Sequence, residues 1–152
     1  MALSRAEREK FLAEPHVAAL SVDAGPGRAP LTVPIWYQYE PGGDVWIMTG
    51  RDSRKNRLIQ EAGRFSLMAD RQEPTVRYVS VEGPVVETVP ATEELLRELS
   101  ARYLPAGAVD SYVAYSLAHH GEQVVVRMRP ARWVSSDLGA VSDYGPDAAG
   151  PA

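Results

Sequence analysis

The segment 76–89 constrains the fold more than any other part of the chain. Its tyrosine, valine, serine and glutamate residues alternate as in a β-strand, which predicts one unusually long strand. Gly83 and Pro84 lie inside it, where a glycine suits a bulge or bend and a proline cannot serve a central ladder. A long strand with a bend in its middle is expected to curve around a barrel.

Shorter strand patterns lie on both sides of this segment. A compact apolar run at 16–22 ends in a turn rich in glycine and proline. A run rich in β-branched and aromatic residues at 31–39 leads through the turn 40–44 into 45–49, which predicts a hairpin. Further strands are predicted at 64–69 and at 123–128, the latter continuing past Pro130 toward Trp133. The sequence therefore predicts six strands.

Four helical segments are predicted between these strands. Ser4 and Glu7 have the spacing of a capping box, and Ser53 can cap a helix that runs to about Glu61. Two more helices are predicted over 92–103 and 110–118. Because hairpin connections dominate and strands do not alternate regularly with helices, the pattern favours a mainly β, antiparallel barrel over a Rossmann sheet.

Length and composition indicate one domain. The chain has 152 residues with 45% hydrophobic content, enough for a core of its own. We predict this domain over residues 1–134, followed by a flexible tail at 135–152 that is rich in Gly, Ala, Pro and Asp. There is no cysteine, which excludes disulfides, thiolate nucleophiles and iron–sulfur clusters. His119 and His120 are adjacent, the wrong spacing for a metal pair on one helix face, so no metal site is predicted.

Charge limits the partners. The formal net charge of -4 predicts a surface that repels nucleic acid and anionic membranes. The first residues are charged and lack the apolar core of a signal peptide, and no later stretch is long enough to span a bilayer. We therefore expect a cytoplasmic protein without nucleic-acid or membrane partners.

One basic cluster stands out on this acidic chain. Arg51, Arg54, Lys55 and Arg57 fall within seven residues and are offset only by Asp52. The segment 48–55 places a strand end, a turn and a helix start beside two hydroxyls. Free amides at a helix N-terminus, hydroxyl donors and basic side chains together bind phosphate well. The alternative interpretation is a solvated basic helix.

These residues also carry a family resemblance. Thr49, followed by Ser53-Arg54-Lys55 and then by the strand at 64–67, resembles the pyridoxamine 5'-phosphate oxidase superfamily of flavin-binding proteins. The resemblance implies a six-stranded antiparallel split β-barrel of the FMN-binding type with short flanking helices, and a homodimer with the cofactor at the subunit interface. It implies that the phosphate is bound around Met48, Thr49, Gly50, Ser53, Arg54 and Lys55, with Arg57 assisting. On the long strand, Arg77 and Tyr78 are expected to reach the site of the other subunit.

Departures from the family pattern narrow the function. Thr32 and Tyr37 stand where the flavin-dependent oxidases have an Arg and a Lys, and the chain has no Arg-x-His substrate element. Pyridoxamine phosphate oxidation is therefore not expected. The segment 33–37, together with 48–51, more closely resembles the actinobacterial branch that uses the deazaflavin coenzyme F420. That coenzyme ends in an acidic tail, which suits a basic patch larger than one phosphate requires, with Arg51 and Arg57 in excess.

The resemblance predicts a deazaflavin-dependent reductase of an unsaturated or quinone-like small molecule. The cofactor carries the hydride chemistry, so no catalytic residue is identified from the sequence. Residues Val33, Pro34, Ile35 and Trp36 are expected to lie along the ring, with the substrate stacked under Trp36, Tyr78 and Trp133. The proton donor stays open between Tyr37 and water. The alternatives are an FMN-dependent oxidoreductase of the same fold and a cofactor carrier without turnover.

Overall fold

The computed structural model describes residues 1–145 and shows a mainly β fold. Within this range there are eight strands, four α-helices and a terminal 3-10 turn. The helices are α1 Arg5–Ala13, α2 Arg54–Ala62, α3 Glu93–Tyr103 and α4 Ala106–His119. The strands are β1 Ala18–Val22, β2 Leu31–Ile35, β3 Tyr37–Tyr39, β4 Val45–Gly50, β5 Arg64–Arg71, β6 Arg77–Pro90, β7 Gln123–Met128 and β8 Arg132–Asp137, and the 3-10 turn is Val141–Tyr144.

The strands form a curled antiparallel sheet in the order β2-β1-β5-β6-β7-β4-β3, with β8 paired to β6. The long strand β6 joins the two halves of the barrel: its first part pairs with β5 and β8, and its second part pairs with β7. The predicted bend lies between these parts, where the register shifts between Val85 and Glu87. Gly83 permits the bend because a Cβ there would lie 1.8 Å from the carbonyl oxygen of Arg129.

The split-barrel fold class is confirmed, but the predicted number of six strands is wrong. The segment 31–39 is two strands, because β2 pairs with β1 whereas β3 pairs with β4. The chain changes partner at Trp36, next to the point where the Tyr103 hydroxyl takes over the backbone hydrogen bonds of Tyr37. The last predicted strand is also divided into two strands, since β7 ends at Met128 and β8 begins at Arg132.

Side-chain caps fix where the helices begin. The hydroxyl of Ser4 accepts the backbone N–H of Glu7 in α1, Ser53 caps α2 in the same way, and Thr92 caps α3. Helix α2 ends at Gly63, whose φ of 69° lies in the left-handed region that favours glycine. The predicted helix starts at Ser4, Ser53 and Thr92 are therefore confirmed, whereas α4 begins four residues earlier than the sequence indicated.

The core has two parts that meet at β4. The larger part fills the barrel and packs against α1, and the smaller part lies under α3 and α4. Val45 and Ile47 face the barrel, while Trp46 and Met48 face the two helices. Strand β4 is therefore buried on both sides, and it holds the beginning of the loop that follows it in a fixed place.

The C-terminal strand extends beyond the predicted domain boundary. Ser135, Ser136 and Asp137 pair with β6, so ordered structure continues past residue 134. The N-terminal ammonium group donates to the backbone oxygen of Asp137 at 2.9 Å. The end of the predicted tail, residues 146–152, lies outside the described residues. Over residues 1–145, no helix is long and apolar enough to cross a membrane.

Candidate cofactor site

Two hydroxyls converge where β4 gives way to α2. Thr49 is the buried end of the strand, and its Oγ1 lies 3.2 Å from the Oγ of Ser53. The Ser53 hydroxyl accepts the backbone N–H of Asn56 at 3.1 Å and donates to the carbonyl oxygen of Gly50 at 2.8 Å. The loop thus presents hydroxyls and the free amides of a helix N-terminus on the same turn, which is an arrangement that binds phosphate.

The loop is braced from both sides. The buried Asn56 side chain donates to the carbonyl oxygen of Arg51 at 2.8 Å. The backbone N–H of Arg51 donates to the carbonyl oxygen of Glu122 at 3.0 Å, which ties the loop to the start of β7. Because both peptide groups of Arg51 are used, the loop is organised without a ligand.

Within the described range, one side chain of the basic cluster forms ion pairs with carboxylates of the protein, and the other three do not. Arg51 forms ion pairs with Asp52 and Glu122, so it is not the spare cation that the sequence indicated. Lys55, Arg54 and Arg57 form no ion pair within residues 1–145. Arg54 and Arg57 are exposed, whereas Lys55 is partly buried and its burial lowers the pKa of its ammonium group. Lys55 is therefore a partly desolvated cation with no protein carboxylate beside it.

Two adjacent hollows lie next to this loop, under α3 and α4. One has a volume of about 320 Å³ and the other about 420 Å³, and they share Met48, Leu96 and Gln123. The larger one reaches Arg51 and Glu122. The smaller one, called here the aromatic hollow, is lined by Val17, Pro34, Ile35, Trp36, Met48, Leu96, Leu99, Ser100, Tyr112 and Gln123. Both hollows are largely apolar. Met48 and Arg51 connect them to the segment Thr49 to Lys55, called here the phosphate loop, whereas Thr49, Ser53 and Lys55 line neither hollow.

Trp36 is held in the aromatic hollow by two tyrosines. Its ring stacks on Tyr103 with 4.8 Å between centroids and an angle of 10°, and it lies 5.5 Å from the tilted ring of Tyr112. The Tyr103 hydroxyl accepts the N–H of Tyr37 at 3.1 Å and lies within donating distance of the carbonyl oxygens of His16 and Tyr37. The break between β2 and β3 thus fixes the direction of Trp36.

The structure brings part of the predicted site together. Pro34, Ile35, Trp36 and Met48 line the aromatic hollow, while Val33 packs against the barrel core instead. The smallest residue of the loop, Gly50, lies close to Ser53, since a Cβ on it would be 3.5 Å from the Cβ of that serine.

Other predicted residues lie away from this hollow. Arg77 and Tyr78 are on the first part of β6, where Arg77 forms an ion pair with Asp137 at 2.8 Å. Trp133 packs edge-on against Tyr39 and lies under the guanidinium of Arg8, so one chain does not stack Trp36, Tyr78 and Trp133 together.

Tyr37 is excluded as a proton donor to a ligand. Its side chain is fully buried, and its hydroxyl donates to the carbonyl oxygen of Leu12 at 2.6 Å. Burial and the neighbouring Tyr103 phenol raise the pKa of Tyr37. Thr32, the other substituted position, is exposed and hydrogen-bonds to Ser21. Neither residue reaches the aromatic hollow.

Six lining residues of the hollow were not predicted from the sequence: Val17, Leu96, Leu99, Ser100, Tyr112 and Gln123. Tyr103, which stacks on Trp36, was not predicted either. Tyr103 and Tyr112 come from α3 and α4, and Gln123 is the first residue of β7. The helices themselves were predicted, but no motif marks these side chains. Only the packing of α3 and α4 against β4 brings them beside Trp36.

Comparison with known proteins agrees with this geometry. A family model described as pyridoxamine 5'-phosphate oxidase matches residues 4–136. The chain belongs to this family. The family indicated by the segment from Thr49 to Lys55 is thereby confirmed. No curated protein is similar enough to match the chain.

Several solved structures of the family's fold resemble the chain. A conserved hypothetical protein, Rv2991 from Mycobacterium tuberculosis, is 25% identical with a TM-score of 0.66, covering 89% of this chain and 85% of that chain. An F420 reductase is 22% identical with a TM-score of 0.64, covering 83% and 94%. An FAD-binding protein from Mesorhizobium loti is 18% identical with a TM-score of 0.58, covering 90% and 95%. All three share the split-barrel fold with this member of the pyridoxamine 5'-phosphate oxidase family.

Proposed function

We propose that this protein is an oxidoreductase that uses the deazaflavin coenzyme F420. It transfers a hydride between the reduced cofactor and an unsaturated or quinone-like small molecule, and it works as a cytoplasmic homodimer. The phosphate loop binds the cofactor phosphate, and the strand residues at 34–36 lie along the ring. Membership of the family supports an oxidoreductase that uses a flavin-type cofactor. The features below support F420 as that cofactor.

The observation that carries the proposal is the environment of Lys55. A partly buried ammonium group loses hydration, and this loss is offset when an anion binds beside it. No carboxylate within the described range takes that place, whereas two convergent hydroxyls and a helix N-terminus lie on the same turn. A phosphate at this position would satisfy the ammonium group and the free amides together. The hydroxyls of Thr49 and Ser53, which now bond to each other and to Gly50, would donate to the phosphate after turning toward it.

The substituted positions favour a deazaflavin over FMN. Thr32 and Tyr37 replace the basic pair of the flavin-dependent oxidases, and their hydroxyls are engaged by Ser21 and Leu12. Among the described residues, 1–145, no cationic side chain lines the aromatic hollow to take over this role. Among proteins with this fold, one is an F420 reductase and another is an FAD-binding protein, which supports a flavin-type cofactor in general.

The chain's own residues bind, orient and exclude water, since a bound deazaflavin supplies the hydride chemistry itself. Thr49, Ser53 and Lys55 would hold the phosphate end. Trp36, fixed by its stack on Tyr103, presents a rigid aromatic face beside the apolar Met48. The apolar side chains of the hollow would reduce the contact of a bound ring with water on the side that they cover.

The outer face of the sheet supports the homodimer. Pro34, Ala19, Met68, Ser80 and Val134 are in register across β2, β1, β5, β6 and β8. Their neighbours along each strand point into the core, so these side chains form one uncharged row on the outside. Met68 is 37% and Val134 is 61% exposed. A second copy would cover this uncharged row, in which Met68 and Val134 are the exposed apolar side chains. Replacing these two residues by lysine should give a monomer in analytical ultracentrifugation.

The first test is a fluorescence titration of the protein with coenzyme F420 and, separately, with FMN. We expect tight binding of F420 and weak binding of FMN. In Lys55→Ala, affinity for F420 should fall by about 1.5–3 kcal/mol, the contribution of a hydrogen bond to a charged group, with folding intact. The matched control is Lys10→Ala on α1, which removes an exposed lysine outside the site and should bind normally.

Each other outcome assigns a different function. Preference for FMN would make the protein a flavin-dependent oxidoreductase of the same fold. Tight F420 binding without reduction of any compound in a panel of quinones and enones would indicate a cofactor carrier. If neither cofactor binds, the proposal is wrong.

A further inference from the structure

The aromatic hollow contains two polar side chains that the protein itself does not satisfy. Three hydroxyl or amide side chains line it: Ser100, Tyr112 and Gln123. The Ser100 hydroxyl donates to the carbonyl oxygen of Leu96 at 2.6 Å and is committed within its helix. In residues 1–145, neither the Tyr112 hydroxyl nor the Gln123 side-chain amide has a hydrogen-bond partner. Both are therefore available to a ligand.

The rest of the hollow is uncharged. Its other lining side chains are apolar or aromatic, and no Lys, Arg, Asp, Glu or His is among them. Burial raises the pKa of Tyr112, so its phenol stays protonated at neutral pH and can donate a hydrogen bond. A charged ligand group would lose its hydration here without gaining a partner of opposite charge.

One wall of the hollow is an aromatic ring that is held in place. The Trp36 ring is held almost parallel to Tyr103, and the Tyr103 hydroxyl is fixed by backbone groups. A wall that is fixed in this way stacks against planar molecules without first having to be ordered. The side chains of Leu96 and Leu99 supply apolar contacts on the helix side.

We propose that the aromatic hollow binds a neutral, planar ring bearing a carbonyl oxygen, and that Tyr112 and Gln123 recognise this oxygen by donating hydrogen bonds. The oxygen can belong to the ring of the cofactor or to a quinone-like acceptor. This inference deepens the proposed function. It rests on the proposed function because the cofactor and the quinone-like acceptor are the ligands named there. It assigns recognition to α4 and to the start of β7 of a single chain.

The test uses two neutral probes that lack phosphate: menadione, a quinone, and 5-deazariboflavin, a phosphate-free deazaflavin. Each is titrated into the full chain, and quenching of tryptophan fluorescence, to which Trp36, Trp46 and Trp133 contribute, reports binding. The variants are Tyr112→Phe and Gln123→Leu, which remove only the polar groups. The control is Tyr115→Phe, on the same helix, where the side chain is 55% exposed and does not line the hollow.

We expect saturable binding of at least one probe, weakened roughly three- to tenfold in Tyr112→Phe, the effect of one hydrogen bond. Gln123→Leu should act in the same direction, and Tyr115→Phe should match the unmodified protein. A loss confined to menadione places the oxygen on the acceptor, and a loss confined to the deazaflavin places it on the cofactor ring.

Two results would overturn the inference: unchanged affinity of Tyr112→Phe and Gln123→Leu for both probes, or no saturable binding of either probe. Failure of the proposed function is distinguishable. It would appear as a protein that binds the phosphate-free probes but gains no affinity from the phosphate of F420. For the same reason, Lys55→Ala should bind both probes like the unmodified protein.

Discussion

The phosphate loop and the aromatic hollow are neighbours, yet they are built in opposite ways. The loop takes its groups from one short stretch, Thr49 to Lys55, and its geometry follows from a strand end and a helix cap. The hollow takes its side chains from β2, β4, α3, α4 and β7, which are far apart in the chain. Local chemistry therefore defines the phosphate end of the site, and tertiary packing defines the ring end.

The largest expected effect is a loss of overall stability, which would disrupt the phosphate loop and the aromatic hollow together. Gly83→Ala would place a Cβ 1.8 Å from the carbonyl oxygen of Arg129, a backbone atom that cannot move without disrupting β6. We expect destabilisation of about 3 kcal/mol or more, at the upper end of overpacking effects, measured by urea denaturation. Gly107→Ala, where nothing lies within 4 Å, is the matched control and should be tolerated. Normal stability of the Gly83 variant would show that the bend does not hold the two regions together.

The next largest effect should be confined to one region, the aromatic hollow. Tyr103→Phe removes the hydroxyl that accepts the N–H of the buried Tyr37 and that helps to fix Trp36. Leaving that donor unsatisfied should lower the free energy of unfolding by about 1–3 kcal/mol. Probe binding in the hollow should weaken, whereas the affinity lost on Lys55→Ala should be as large as in the unmodified background. Equal damage to both ends of the site would contradict the division into two regions.

A smaller effect addresses the loop alone. Ser53→Ala removes the N-cap of α2 and the hydroxyl partner of Thr49, which should cost about 1 kcal/mol in stability and also weaken F420 binding. Ser4→Ala removes an equivalent cap from α1, outside the site, and should reduce stability without changing cofactor affinity. If both variants bind F420 equally, the Ser53 hydroxyl does not contact the phosphate.

The smallest expected effect is a pH dependence of stability at Asp137, which lies outside both regions. It serves as a control because it should not change ligand binding. The N–H of Gly139, the Thr75 hydroxyl and Arg77 lower the pKa of Asp137 from 3.8 to about 2. Because the folded-state pKa is depressed, the stabilisation is present above pH 3.8 and is lost as the pH falls toward 2. The stability difference between Asp137→Asn and the unmodified protein should shrink over this range in urea denaturation, with ligand affinities at neutral pH unchanged. A constant difference would mean that the carboxylate charge is not involved.

The sequence predicted those parts of the molecule that depend on local rules. The caps at Ser4 and Ser53 and the helix start at Thr92 follow from one or a few adjacent residues, and the structure confirms each of them. The bulge or bend predicted at Gly83 and Pro84 lies just beyond them, between Val85 and Glu87. The strand count could not be read in this way. Nothing between Leu31 and Tyr39 signals that a hydroxyl from α3 replaces the ladder at Tyr37.

The same limit applies to the site. The segment around Thr49 was recognisable, while Tyr112 and Gln123 have no sequence signal because their role depends on how α4 packs against β4. Arg51 was counted as a free cation because its partner Glu122 is distant in sequence. Tyr37 was considered as a proton donor because the sequence does not show that its side chain is buried or that its hydroxyl donates to the carbonyl oxygen of Leu12.

Burial of β4 on both faces also limits how relatives of this protein can diverge. From Val45 to Thr49 every side chain is buried, so a substitution anywhere in this strand disturbs the barrel core or the helical cover. Helix α4, in contrast, leaves Tyr115 and Leu117 exposed and can exchange residues at little cost. Relatives are therefore expected to keep the strand that positions the cofactor loop and to change ligand preference through α4.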